Sequence, residues 1–191
     1  MINREKFFKN LRIALFDKFS QLQVDSINAI LDEVEAQGVT DIRQIAYIFS
    51  TAYHEAFDYS GKQTGTIQRI VPIQEGGSKT YLQGKPYYPY IGYGFVQLTW
   101  LANYKKYQNI ISTIDRFKGY DIIKNPESVQ DIKLAAFILV HGMVNGSFTG
   151  KKLSDYIGKK CDFVGARRII NGTDKASLIA SHASAFLTAL S

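Results

Sequence analysis

The sequence predicts a mainly α-helical fold, in a single domain over residues 1–191, with a small β-hairpin or loop excursion between helices. Two observations lead to this prediction. Apolar residues recur at helical spacing within residues 3–18 and 24–37, and residues 134–140 are wholly apolar, as expected of a central helix. Residues 58–95 are instead rich in Gly, Tyr and Pro, a composition typical of loops and short hairpins.

The first third of the chain gives clear helical signals. An amphipathic helix is expected over residues 3–18, and a second over residues 24–37, where Gly38 stops it. Thr40 is the expected N-cap of a third helix, which runs to Glu55. The first two helices each keep an apolar face for the core.

The remaining elements are predicted from shorter signals. Asn125 and Pro126 combine a capping residue with a proline suited to the first helical position, and Asp174 is a further capping residue. The expected elements are strand structure within 67–73, a brief strand over 95–98, a helix from about Leu101, a helix from Pro126 and a last helix through Leu190.

The composition is that of an ordinary globular protein, with 46% hydrophobic and 21% charged residues, unlike disordered or membrane-spanning chains. The single cysteine, Cys161, excludes an internal disulfide, and the start has no recognisable signal peptide, so we expect accumulation in a reducing cytoplasm. A net charge of +6 weakly favours an acidic partner, such as nucleic acid, anionic lipid or cell wall, unless the cations are simply solvated.

The first candidate catalytic residue is Glu55, which ends a helical stretch without charge over residues 45–53. A helix that is neutral on all sides is usually buried, and a carboxyl group at its end loses solvation, which favours the protonated form that a general acid needs. Helical geometry places Glu55 beside the apolar stripe, bordering the core. The alternative is that Glu55 pairs with a Lys or Arg at the helix end. The stripe consists of Ile45, Phe49, Ala52 and Ala56.

A second carboxylate, Glu75, lies between Pro72-Ile73 and Gly76-Gly77, which describes a rigid approach followed by a flexible turn. Loops of this kind often present functional side chains, although a glutamate in a surface turn is usually only solvated. Two carboxyl groups suggest glycoside hydrolysis, in which one acts as the acid and the other handles water or attacks the sugar.

Residues 90–100 could complete such a site. Glycines there allow close approach to a ligand, and Gln97 and Thr99 alternate onto one face of a short strand. Aromatic side chains offer flat faces for sugar rings, or else they pack a long loop, and Tyr93 and Trp100 are assigned to substrate binding. The aromatic set is Tyr81, Tyr87, Tyr88, Tyr90, Tyr93 and Trp100.

Competing chemistries find little support. His54-Glu55 begins like the HExxH zinc motif, but Asp58 occupies the position of the second histidine. His141 and His182 are too distant in sequence to form a recognisable metal pattern, and no nucleophile elbow, P-loop or dinucleotide motif occurs. We therefore expect no metal and no cofactor.

Several segments, taken in order, resemble glycoside hydrolase family 19, which contains chitinases and chitinase-like bacteriophage endolysins. The resemblance extends over about residues 20–190, and the ordered combination is specific although each piece is short. The segments are residues 46–55, 72–75, 92–100 with Asn103-Tyr104, 148–153 and 166–175.

This resemblance implies a lysozyme-like fold with a substrate cleft between two lobes, and hydrolysis of β-1,4 bonds next to N-acetylated sugars with inversion. By motif, Glu55 is the general acid, Glu75 is the base that activates water, and Thr99 helps to position that water. Positions that line the cleft or bind substrate in the family are matched by His54, Gln97, Asn103 and Asn171.

The sequence departs from the family at two points. Tyr93 stands where the family usually has the arginine of Gly-Arg-Gly, and the final helix has no arginine, although many members place there an arginine that interacts with the catalytic region. Arg167, Arg168 and Lys175 are the candidates to supply the missing cation.

We therefore expect a monomeric, peptidoglycan-cleaving phage endolysin, which accumulates in the host cytoplasm and acts on the wall after release. No nucleic-acid partner is expected. The basic N-terminal helix either touches a membrane surface weakly or, as the favoured interpretation, is a packing element. A chitinase is the alternative within enzymes. A catalytically weak wall-binding or virion structural protein is the alternative of another class.

Overall fold

The computed structural model describes residues 2–58 and 68–191, and within them the chain is mainly α-helical, as the sequence predicts. Short 3₁₀ helices at Asp115–Phe117, Pro126–Gln130 and Gly165–Ile169 connect the longer elements. The α-helices are α1 (Arg4–Ala14), α2 (Gln21–Ala36), α3 (Ile42–Glu55), α4 (Lys79–Gln83), α5 (Leu101–Ile111), α6 (Ile132–Asn145), α7 (Leu153–Tyr156) and α8 (Ala176–Leu190).

The β structure consists of very short antiparallel pairs. β1 (Phe57–Asp58) pairs with β2 (Gln68–Arg69) directly after α3. β3 (Ile73–Gln74) pairs with β4 (Tyr93–Gly94) and so closes the loop that contains α4. The predicted β excursion between helices is therefore confirmed. The β1–β2 pair follows Glu55, and β3 leads to Glu75.

The core is built by helix packing. α8 packs along α3 and also contacts α1, while α2 packs along α6. Residues 134–140 of α6 are all buried, which confirms the prediction of a central helix. In α3, residues 45–52 are also buried, so the end of this helix carries Glu55 out of the core rather than along a solvated surface.

One predicted helix end and one predicted N-cap need correction in the first half. α1 ends at Ala14 instead of continuing to residue 18. The N-cap of α3 is Asp41 and not Thr40, because the Asp41 carboxylate accepts hydrogen bonds from the backbone N–H of Arg43 at 2.9 Å and from its guanidinium. A carboxylate satisfies the free N–H groups and also favours the positive end of the helix dipole.

Two further predicted caps are wrong. Asn125 makes no capping hydrogen bond, and Pro126 begins a 3₁₀ helix; α6 begins only after Asp131, whose Oδ1 accepts from two backbone N–H groups at 3.0 Å. Asp174 does not cap α8, because Lys175, in the left-handed conformation, precedes it. The carbonyl of Asp174 instead accepts a hydrogen bond from Arg167.

The predicted strand over 95–98 is also wrong. After β4 the chain turns, with Gln97 at φ 53°, and only an isolated bridge joins Tyr93 to Leu98. Within the predicted strand region 67–73, Ile70 at φ 58° separates β2 from β3, and Ile67 lies outside the described residues. No helix in the described ranges is long and apolar enough to span a bilayer.

The histidines His141 and His182 are packed as aromatic rings. His182 lies 4.8 Å from the ring of Tyr53, and His141 lies 5.0 Å from that of Phe137. Among the described residues, Nδ1 of neither ring has a hydrogen-bond partner. Burial lowers the pKa of both below the ordinary value of 6.5, because the charged imidazolium loses solvation.

This burial predicts that acid destabilises the protein through these rings. Below pH 6.5 the unfolded chain takes up protons that the folded chain does not, so stability is full above that pH and falls as the pH approaches the lowered folded values. In the H141F/H182F variant, the slope of the unfolding free energy against pH should be smaller by up to about 1.4 kcal/mol per pH unit for each ring replaced. Urea unfolding between pH 7.5 and 5 measures it; an unchanged slope would contradict the prediction.

Candidate active site

Glu55 lies at the last position of α3 with its side chain 20% exposed, so it borders the core as predicted. Its Oε1 accepts a hydrogen bond from Nη1 of Arg167, forming an ion pair. The side chain of Arg167 is only 5% exposed. The alternative interpretation of Glu55, an ion pair at the helix end, is therefore what the structure shows, and the partner is the buried Arg167.

Arg167 is held rigidly. It lies in the 3₁₀ helix Gly165–Ile169, and its Nε donates to the Asp174 carbonyl at 3.0 Å. Its own carbonyl accepts from the backbone N–H of Asn171 at 3.0 Å, which folds the Asn-Gly turn back onto the 3₁₀ helix. The Nε of the guanidinium is thus fixed by a backbone carbonyl, and its Nη1 contacts Glu55.

Of the three candidate cations, the structure brings Arg167 to the carboxylate. Arg168 and Lys175 are exposed, and no ion pair to either is found among the described residues. The cation comes from the segment before the Asn-Gly turn, since α8 has no arginine to offer.

His54 lies beside this ion pair. Burial lowers its pKa, the negative charge of Glu55 acts in the opposite direction, and the cations of Arg167 and Arg69 lower it further. Arg69, the second residue of β2, donates to the Tyr53 carbonyl at 2.9 Å and lies over the rings of Tyr53 and Phe57. The sequence argument missed Arg69, because only the β1–β2 pairing brings it back to the end of α3.

Glu75 continues the β3–β4 ladder beyond its last pair. Its backbone N–H donates to the Gly92 carbonyl at 2.6 Å, and its Oε2 accepts from the Gly92 N–H at 3.0 Å. Its Oε1 accepts from the Tyr87 hydroxyl at 2.8 Å. The pKa of Tyr87 is raised mainly by burial and further by this hydrogen bond to a carboxylate. Glu75 is therefore a fixed side chain and not a freely solvated one.

The glycines near Glu75 serve close packing within the chain. A Cβ on Gly92 would lie 2.8 Å from Oε1 of Gln97, and one on Gly94, at φ 81°, would lie 3.0 Å from the Val129 carbonyl. From the sequence, these glycines are expected to allow close approach of a ligand. In the structure they instead allow close packing of the Gln97 side chain and the Val129 backbone.

Gln97, Thr99 and Asn103 are hydrogen-bonded to the backbone that supports Glu75. The Gln97 amide donates to the carbonyls of Ile73 and Gly94 at 3.1 Å each. The Thr99 hydroxyl donates to the Gln97 carbonyl at 2.7 Å, and the Asn103 amide donates to the Thr99 carbonyl at 2.8 Å. The structure thus brings these residues together with Glu75, and their roles toward water and substrate stay predictions.

The two aromatic residues assigned to substrate differ in exposure. Trp100 is 51% exposed, at φ 74°, and its ring lies edge-on to that of Tyr87 at 5.2 Å. Tyr93 is 8% exposed, and burial raises its pKa. It lines, with Gln74 and Tyr88, a cavity of about 340 Å³ next to β3 and β4. Of the two rings, that of Trp100 presents much the larger surface to solvent.

The predicted site residues form two groups. Glu55 and His54 lie with Arg167, whereas Glu75 lies with the residues of the 87–103 segment. Within the described ranges no hydrogen bond joins the two carboxyl groups. The Asn171 side chain is exposed, and its Oδ1 accepts from the Gly172 N–H at 2.8 Å. No cluster of three or more His, Cys, Asp or Glu that could hold a metal occurs among residues 2–58 and 68–191.

Comparisons of the chain with models of protein families, with curated proteins and with solved structures give no match. The function is therefore inferred from the motifs and from the geometry of these two groups.

The Arg167–Glu55 pair predicts measurable thermodynamic coupling. Arg167→Gln leaves Glu55 without its cation and should lower the free energy of unfolding by about 2–3 kcal/mol. In a double-mutant cycle with Glu55→Gln, the interaction energy should be about 1–3 kcal/mol. Urea unfolding gives each value. Arg168→Gln, at the exposed neighbouring position, is the control and should change stability little; additive effects of the Arg167 and Glu55 changes would show that the pair is not coupled.

Proposed function

We propose that the protein is an inverting glycoside hydrolase, similar to family 19, that cleaves β-1,4 linkages of bacterial peptidoglycan as a phage endolysin. The proposal includes a lysozyme-like fold with a substrate cleft between two lobes. Glu55 acts as the general acid toward the bridging oxygen, and Glu75 acts as the base that takes a proton from water. Thr99 positions the water. The proposed substrate-binding residues are His54, Tyr93, Gln97, Trp100, Asn103 and Asn171.

One observation carries this proposal: each carboxyl group is immobilised by its own partners and remains at least partly accessible. Arg167 holds Glu55, and Tyr87 with Gly92 holds Glu75. Inverting glycosidases need such separate carboxyl groups, roughly 6.5–9.5 Å apart, so that a water molecule fits between the base and the sugar.

The environment of Glu75 suits a base. Tyr87 and Gly92 each donate to one oxygen, which fixes the plane of the carboxylate. An ionised carboxylate offers about four acceptor sites, so lone pairs remain for a water molecule after these two bonds. The partners orient Glu75 without using up its capacity to accept a proton.

Glu55 has a more demanding task. A general acid must carry a proton when the glycosidic bond breaks. In this proposal, substrate binding loosens the contact with Arg167, and Glu55 takes up a proton from solvent before it donates that proton to the bridging oxygen. Arg167 is in this account a positioning residue, which holds Glu55 at the end of α3 until the sugar arrives.

The surface near Glu75 offers suitable contacts for a glycan. Trp100, Tyr88 and Tyr81 are all about half exposed. Flat aromatic faces pack well against sugar rings, and the net charge of +6 suits an anionic wall polymer better than neutral chitin.

Removing the acid should separate catalysis from binding. Glu55→Gln keeps the shape of the side chain and cannot donate the proton, so the lysis rate should fall by about 10²–10⁴-fold. Turbidity loss of outer-membrane-stripped Gram-negative cells gives the rate, and sedimentation with purified peptidoglycan gives binding, which should be retained. Glu5→Gln, at an exposed position of α1, is the control. Undiminished lysis by Glu55→Gln would contradict the mechanism.

Tyr87 should matter through its hydroxyl. Tyr87→Phe removes the hydrogen bond to Glu75 and should lower kcat about tenfold, the value of one bond to a charged group. Tyr156→Phe, at a half-buried tyrosine of α7 outside both groups of site residues, is the matched control and should retain activity. Equal rates for Tyr87→Phe and the wild-type protein would show that the hydroxyl does not support the base.

The products released from peptidoglycan and from chitin distinguish the proposed function from its alternatives. Sugar release from peptidoglycan and from chitin, compared at equal enzyme concentration and followed by mass analysis of the fragments, should favour peptidoglycan and identify a cut within the glycan. Preferential release from chitin would favour a chitinase. Wall binding with no release from either polymer would favour a catalytically weak binding or virion protein.

A further inference from the structure

A second cavity, of about 590 Å³, lies between α2, the 3₁₀ helix Asp115–Phe117 and the start of α6. It contains none of the residues assigned to the glycan site. Its volume is in the range of sites for small organic molecules. Its lining includes Asp25, Arg116, Phe117, Tyr120, Ile132 and Lys133.

Arg116 is the fixed point of this cavity. Its Nη2 donates to both carboxylate oxygens of Glu33, at 2.9 and 2.7 Å, and the Glu33 side chain is only 4% exposed. Its guanidinium carbon also lies 4.7 Å from the centre of the Phe117 ring. The rest of the guanidinium is open, because the Arg116 side chain is 50% exposed and its Nε and Nη1 have no hydrogen-bond acceptor among the described residues. Such preorganised donors lose little entropy when they bind a carboxylate.

Charges of both signs surround this guanidinium. Lys133, on α6, adds a second cation that forms no ion pair within the described ranges. On α2, the carboxylate of Asp25 accepts only a neutral amide bond from Gln21, at 2.8 Å. The carboxylate of Asp32 is already paired with Arg4 at 2.7 Å. The cavity therefore offers donors for an anion and one uncompensated carboxylate for a cation.

The cavity also has an apolar wall. The rings of Phe117 and Tyr120 meet edge to face at 6.0 Å, and Ile132 lies beside them. This wall can take the aliphatic part of a ligand whose charged ends meet the polar side chains.

We propose that this cavity binds a short peptide that carries both a free ammonium and a free carboxylate. The carboxylate meets Arg116 and Lys133, the ammonium meets Asp25, and the aliphatic part packs on Phe117 and Ile132. The site is separate from the proposed hydrolysis. If the proposed function also holds, the stem peptide of the wall is the nearest source of this chemistry, and binding there adds a second point of attachment.

Isothermal titration calorimetry of the full chain tests this inference, with the stem tripeptide L-Ala-γ-D-Glu-meso-diaminopimelate as the probe. A free dipeptide, Ala-Lys, tests whether any zwitterionic peptide suffices. The same tripeptide with all its carboxyl groups amidated tests the role of the anion. We expect saturable binding of the tripeptide and loss of binding on amidation. No saturable binding of either free peptide at millimolar concentrations would overturn the proposal.

Variants locate the site. Lys133→Gln and Asp25→Asn, both at exposed positions, should each weaken binding of the tripeptide about fivefold, as expected for one partly screened ion pair. Lys124→Gln, an exposed lysine outside the cavity, is the control and should bind as the wild-type protein does. Unchanged affinity in both cavity variants would overturn the assignment. Glu55→Gln should bind the tripeptide normally, so failure of hydrolysis and failure of this site give different results.

Discussion

The structure around the candidate site depends on one interaction, the ion pair between Glu55 and the buried Arg167. α3 delivers a carboxylate to the edge of the core, and a carboxylate there needs a partner, because a charge left without water or a counter-ion is costly. The partner comes from a segment more than a hundred residues later. There the Asp174 carbonyl accepts a hydrogen bond from the guanidinium, and the Asn171 N–H fixes the Arg167 backbone. The packing of α8 on α3 brings the neighbouring elements together. Local helix geometry and long-range folding thus meet at a single contact.

Glu75 is fixed by a different means. The two-residue pairing of β3 with β4 is too short to be stable alone, and the Gln97 amide reinforces it through hydrogen bonds to the carbonyls of Ile73 and Gly94. Thr99 and Asn103 fix the backbone that follows, through hydrogen bonds to the carbonyls of Gln97 and Thr99. The same framework brings Gly92 and Tyr87 to the carboxylate. The polar residues of this segment therefore support the proposed base, whatever further contacts they make with a sugar.

The helices could be predicted from the sequence because their signals are local. The charge-free residues 45–53 and the apolar residues 134–140 correctly gave the buried helices. The caps at Thr40, Asn125 and Asp174 were wrong because several capping residues compete within a few positions, and tertiary contacts decide among them; Asp174 has its carbonyl engaged by Arg167. The strand over 95–98 was wrong because Gln97 adopts positive φ, which its residue type does not predict.

The candidate site was predictable only in part. Glu55 and Glu75 followed from motif and context, and Arg167 was among the candidate cations, but no periodicity links residue 167 to residue 55. Tyr87 was expected as an aromatic face for sugar, and its hydrogen bond to Glu75 was missed because it depends on how the 75–92 loop closes. Arg69 was missed for a similar reason, since β1–β2 pairing returns it to Tyr53. Contacts across loops are set by three-dimensional closure, which short sequence patterns do not encode.

The central claim is that two separately held carboxyl groups hydrolyse a β-linkage with water between the base and the sugar. The anomeric form of the first product tests it most directly. Proton NMR during the first turnovers of a soluble peptidoglycan fragment distinguishes the two anomers before they interconvert. The account predicts that the α anomer appears first, since an inverting site turns a β-linkage into an α product. Initial appearance of the β anomer, or the absence of any new reducing end, would contradict it.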